Sequence, residues 1–126
     1  MTPLDEAQKL LKKGQEDEML LVKTLLDTEI SDEVWGFHAQ QAVEKYLKSV
    51  LAKHSVIFPK THDLLLLTRL FEKNAISLPC PSSEFDWLIP YATTFRYDDV
   101  EDAELDRKQA LQLVQIIQAW AQGLMR

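Results

Sequence analysis

Apolar positions recur at the three- and four-residue spacing of helices almost throughout the chain, and five helical segments are predicted from it. The first runs from about Pro3 to Thr28, with Thr2 as cap and Pro3 in the first turn. Its apolar face is Leu4, Ala7, Leu11, Gly14, Leu21, Val22 and Leu25. Gly14 weakens its middle, and the charged run from Gln15 to Glu18 allows a bend there. The second runs from about Asp32 to Lys53, capped by Ser31 or Asp32. Its broad apolar face is Trp35, Ala39, Ala42, Val43, Tyr46, Leu47, Val50 and Leu51, and His54 suits the helix dipole at its end. Thr61 is expected to cap the third, about His62 to Lys73, with Asn74 as its stop. Leu78-Pro-Cys-Pro81 must be extended, because each proline biases the residue before it away from helix. The fourth begins at Ser82 or Ser83, ends near Phe95 and is kinked by Pro90. The fifth, about Val100 to Met125, is capped by Asp98-Asp99 and turns Ala110, Leu113, Val114, Ile117, Trp120, Ala121 and Leu124 inward.

Long helices joined by short loops predict an all-α, antiparallel up-and-down bundle of about five helices. The strand-like triplet Val56-Ile57-Phe58 is too short to pair alone. The 126 residues, 46% of them hydrophobic, suit one domain spanning 1–126 with one core.

Composition narrows the function. No run approaches the ~18–20 apolar residues of a membrane span, and Met1 to Lys13 carries mixed charge without the apolar stretch of a signal peptide. The one cysteine excludes an internal disulfide, so a cytoplasmic protein without membrane contact is expected. A net charge of −6 argues against a basic surface for duplex DNA or long single strands, while leaving room for a local basic patch. Gly14, Gly36 and Gly123 are isolated, which excludes phosphate loops and dinucleotide fingerprints. No cofactor or metal is expected.

The chemistry-bearing side chains concentrate on the second helix. His38, Gln41, Lys45 and Lys48 share an arc of about 80° on an ideal wheel, with Glu44 beside it pairing Lys48 at i, i+4. The row is either a solvated polar face or a wall that holds a phosphate or a partner, with Lys45 and Lys48 as its cations. Arg96 has two readings: an ion pair with Asp98, Asp99 or Asp102, or a phosphate contact by its planar fork. His62 is either a structural group at a helix start or a member of the same cleft as His38. The acidic run from Asp98 to Glu104 suggests a metal site less than a helix cap, since acids favour a first turn. Cys80, between prolines, reads as an inert loop thiol, and Trp35, Trp87 and Trp120 read as core.

Residues 37–48, Phe-His-Ala-Gln-Gln-Ala-Val-Glu-Lys-Tyr-Leu-Lys, are followed by Phe58-Pro-Lys-Thr-His-Asp-Leu64 and later by Arg96-Tyr97. These motifs, in this order, resemble the HEPN family, and Asp17 matches a recurrent acidic position. The resemblance implies a five-helix bundle that forms homodimers. It also implies a frequent neighbour, a small nucleotidyltransferase of the MNT type, in a toxin–antitoxin or nucleotide-linked pair. Many members are metal-independent RNases in which an Arg-x(4–6)-His motif at the start of the last helix converges across a dimer cleft. Here Arg96 is followed by Tyr97-Asp-Asp-Val-Glu-Asp-Ala103, and no histidine lies after His62. A general acid/base for ribose chemistry should titrate near neutrality, and aspartates in its place would repel the substrate phosphate. The His-x-Tyr target that a partner transferase would modify is absent with it.

The expectation is therefore a nucleotide-associated binding and interaction module, with His38, Gln41, Lys45, Lys48, His62, Arg96 and Tyr97 as candidate ligand contacts, no catalytic residue, and RNA a doubtful partner. The alternatives are a divergent RNase toxin using Arg96 with His38 or His62, and a structural dimer with no ligand. Tyr91, Phe95 and Tyr97 are the expected aromatic anchors of a homodimer.

Overall fold

A computed structural model of the chain describes residues 2–92 and 105–125. Four α-helices, α1 (Pro3–Lys23), α2 (Asp32–Lys53), α3 (Leu64–Lys73) and α4 (Arg107–Gly123), are joined by a ten-residue 3-10 helix at Ser82–Tyr91. There is no strand among the described residues, and the architecture is an all-helical bundle.

Each α-helix start is fixed by a side chain that satisfies an orphan backbone N–H. Thr2 and Asp5 form a reciprocal capping box on α1, and the Ser31 hydroxyl accepts from Val34 N on α2. On α3 the cap is Asp63, which accepts from the amides of Leu65 and Leu66; the expected start at His62 with Thr61 as cap is two residues early. On α4 the cap is Asp106, accepting from Gln109 N, so the last helix begins later than Val100 and is not capped by Asp98-Asp99. α1 ends at Lys23 rather than Thr28, since the Thr24 hydroxyl turns back to the Leu20 carbonyl. The expected fourth helix is the 3-10 segment, in which Pro90, lacking an N–H, sits one residue from the end.

α2 is the axis of the bundle. It contacts α1, α3, α4 and the 3-10 helix, and α1 also packs on α4. All eight apolar positions predicted for its face are buried, Trp35 at 1% exposed and the rest at 0%. α1 runs antiparallel to it with Ala7, Leu11, Gly14 and Leu21 inward, whereas Val22, expected on that face, is 51% exposed.

Two glycines set how closely aromatics approach. A Cβ on Gly14 would lie 2.6 Å from Tyr46 Cε1, and one on Gly36 would lie 2.4 Å from Tyr91 Cδ1. Gly14 is thus the seat of the Tyr46 ring, and α1 continues unbroken through it. Tyr91, expected at a dimer interface, is 4% exposed and committed to the bundle. Phe95 and Tyr97 lie outside the described residues.

Candidate functional site

The polar row of α2 is not acid-free once α1 is packed beside it. Asp17 projects from α1 between two of the predicted contacts: His38 Nδ1 is 3.0 Å from Oδ1, and Lys45 Nζ is 2.6 Å from Oδ2. A carboxylate can only accept here, so Nδ1 carries the proton and donates. The Asp17 side chain is 12% exposed, against 29% for His38 and 26% for Lys45. A helical wheel drawn on α2 alone cannot include that neutralising charge.

Two turns along, Glu44 organises the rest. Its side chain is 3% exposed, and such a carboxylate is costly unless every lone pair finds a donor. Lys48 Nζ donates to Oε2 at 2.9 Å, while His62 Nδ1 at 2.9 Å, Gln40 Nε2 at 3.2 Å and Gln41 Nε2 at 3.4 Å donate to Oε1. Gln41 also donates to Gln40 Oε1 at 2.8 Å. The loop before α3 closes the network: Lys48 donates to the Thr61 carbonyl at 2.7 Å, and Gln40 to the His62 carbonyl at 3.0 Å. The Gln-Gln, Glu and Lys of α2 and the Thr-His-Asp before α3 are therefore one hydrogen-bonded unit. Among the described residues no buried side-chain nitrogen or oxygen lacks a partner.

Of the predicted ligand contacts, His38 and Lys45 share Asp17, while Gln41, Lys48 and His62 share Glu44. The two groups are neighbours along α2. Arg96 and Tyr97, with Asp98, Asp99 and Asp102, lie outside the described residues. His54 is exposed, with Nδ1 on the Val50 carbonyl at 2.9 Å. No trio of histidine, cysteine or acidic side chains among the described residues is arranged to hold a metal. Burial, with Glu84 nearby, pushes the Cys80 thiol up and away from thiolate reactivity.

Two further groups escaped the sequence reading. The Tyr46 hydroxyl donates to Glu18 at 2.8 Å; burial, reinforced by that carboxylate, pushes the phenol far above its ordinary value. Burial also raises the Glu18 carboxyl, against the pull of the Tyr46 hydroxyl. Arg107, at the start of α4, donates to Asp32 Oδ1 at 2.8 Å and to the carbonyls of Thr24, Asp27 and Ile30 at 3.0, 3.1 and 2.5 Å. Its guanidinium also lies 5.5 Å from the Trp35 ring centroid. It clamps the α1–α2 connection, and nothing in its local sequence singles it out.

Chemically the α2 row offers two carboxylate–histidine pairs and two compensated lysines. Each pair orients an imidazole, and neither leaves an uncompensated cation for an anionic ligand. No helix among the described residues is long and apolar enough to cross a membrane. Neither the curated proteins nor the solved structures compared with the chain match it. The family model described as the HEPN domain matches residues 7–124, which include most of α1 and the whole of α2, the loop before α3, α3 and α4. The chain belongs to the HEPN family.

Proposed function

We propose that the chain is an HEPN-type interaction module without RNase activity, nucleotide-associated, homodimeric, and paired with an MNT-type nucleotidyltransferase in a toxin–antitoxin-like couple. One observation carries the first part. The positions five to seven residues beyond Arg96, where an RNase of this family needs its histidine, hold Glu101, Asp102 and Ala103, all without imidazole. The three histidines of the chain are engaged elsewhere, on Asp17, on Glu44 and on the Val50 carbonyl. The Glu44 network supports a scaffold role for α2. Met19 and Val22 near the end of α1, and Leu26 in the turn beyond, are 58%, 51% and 82% exposed and offer apolar surface to a second protein.

The test has two arms. Purified chain incubated with a mixed RNA pool in EDTA is expected to leave it intact. Co-expression with a nucleotidyltransferase from the adjacent gene is expected to give a complex that co-purifies. Cleavage lost in Arg96→Ala would overturn the first part, and two proteins eluting separately would overturn the second.

One observation favours a second reading, a divergent RNase. The Asp17–His38 pair is the arrangement that orients a general base, and His38 is partly exposed. In that case cleavage would be abolished by His38→Ala as well as by Arg96→Ala.

A further inference from the structure

Where α1 and α2 pass the loop before α3, a groove of about 350 Å³ is lined by Glu6, Lys9, Leu10, Lys13, Lys48, Phe58, Pro59 and Lys60. Four lysines meet one glutamate there, in a chain whose net charge is −6. Lys48 is already compensated by Glu44 and held by the Thr61 carbonyl. Lys9, Lys13 and Lys60 are exposed and make no ion pair among the described residues. Lys9 and Lys13 are an i, i+4 pair of like charge, an arrangement that weakens a helix. Three cations without an ion pair among the described residues, gathered on one concavity, suit an anion.

The floor narrows the ligand. Leu10, Phe58 and Pro59 are apolar, and the Phe58 ring centroid lies 5.9 Å from Lys48 Nζ. A wholly inorganic anion would leave that floor unused. Ammonium groups are compact point charges, suited to successive phosphates rather than to the two-pronged recognition of one carboxylate. The volume lies within the range of small-molecule sites.

We propose that this groove is a binding site for an organic phosphate of the nucleotide class, the base seated on Phe58 and Pro59 and the phosphates spanning Lys9, Lys13 and Lys60. The proposal rests on the nucleotide association proposed above and is independent of the partner protein and of RNase chemistry. The same chemistry is presented by a free nucleoside triphosphate and by a terminal nucleotide of an RNA strand.

Calorimetry on the full chain with ATP, inorganic triphosphate and a short RNA tests it. ATP binding is expected to weaken about tenfold in Lys9→Ala/Lys13→Ala, the loss expected for charge-assisted contacts. It is also expected to weaken with added salt. Lys73→Ala, at the end of α3 and outside the groove, removes one positive charge and is expected to bind as wild type does. Phe58→Ala is expected to weaken ATP and leave inorganic triphosphate unchanged. All these positions except Phe58 are exposed, and alanine favours helix, so the lysine variants should fold; thermal melts check this. RNA binding tighter than ATP, with the same lysine dependence, assigns the source to an RNA end and supports the site. If ATP binds but is indifferent to Lys9 and Lys13, the groove is wrong while nucleotide association stands. No heat with any of the three ligands overturns both.

Discussion

Replacing Glu44 with glutamine tests whether the family motif on α2 is a scaffold. The substitution keeps the shape and removes the charge. In the native chain Oε1 accepts from His62, Gln40 and Gln41, and Oε2 accepts from Lys48. A glutamine has one oxygen and one NH2. If its oxygen takes the place of Oε1, its NH2 faces the Lys48 ammonium; if it flips, the NH2 faces three donors. The better choice still leaves a lysine that is 12% exposed with only the Thr61 carbonyl. Breaking a buried charge pair in this way costs about 2–4 kcal/mol. For a domain of this size that lowers Tm by roughly 10 °C. Circular dichroism melts and urea titrations read the loss. Lys48→Met, which keeps the stem and removes the ammonium, should recover about half of it when combined with Glu44→Gln. A Glu44→Gln protein melting within about 2 °C of wild type would refute the reasoning, as would a double variant whose loss is the plain sum of the singles.

Gly36→Ala should destabilise by about 1–3 kcal/mol despite the better helix propensity of alanine, because its Cβ would meet the buried Tyr91 ring at 2.4 Å. An unchanged urea midpoint would show that the ring moves freely. Arg107→Lys should cost about 1–2 kcal/mol, since one ammonium cannot serve Asp32 and three carbonyls; faster trypsin cleavage after Lys23, where that connection begins, is the readout. Glu18→Gln addresses a burial-raised carboxyl. A raised folded pKa gives stability that is full below the unfolded value of 4.5 and lost as pH rises through the folded one. The glutamine oxygen still accepts from Tyr46, so the variant should be more stable than wild type at pH 7, by less than about 1 kcal/mol after solvent screening. The gain should vanish near pH 3, and a constant difference across that range would contradict the sign.

What the sequence disclosed follows from what each kind of signal can see. α2 was legible to the residue, Asp32 to Lys53, because a strong cap, a continuous apolar face and the family motif agree there. The start of α3 was misplaced because Thr61 and His62 turn their carbonyls to Lys48 and Gln40, leaving Asp63 to cap. The start of α4 was misplaced because several aspartates compete for one role and only tertiary packing selects Asp106. Arg107 was invisible because its partners are mostly backbone carbonyls 77 to 83 residues away. The candidate ligand residues were legible as a row, but the acid that compensates two of them comes from another helix.

That last point explains why the lysine groove lies where it does. The ends of α1 already suit the helix dipole, with Asp5 and Glu6 in the first turn and Lys23 in the last. The order of charges between them is therefore set by what they face. Lys9, Lys12 and Lys13 come first, then Glu16, Asp17 and Glu18. Because α1 runs antiparallel to α2, the acidic group meets His38, Lys45 and Tyr46, each of which takes a carboxylate. The basic group meets Lys48 and the Phe58–Lys60 loop. Reversing the two groups would bring lysines against His38 and Lys45 and take away the carboxylate that both now share. With the observed order, positive charge without an ion pair among the described residues collects at one end of the α1–α2 seam, beside the Phe58 ring.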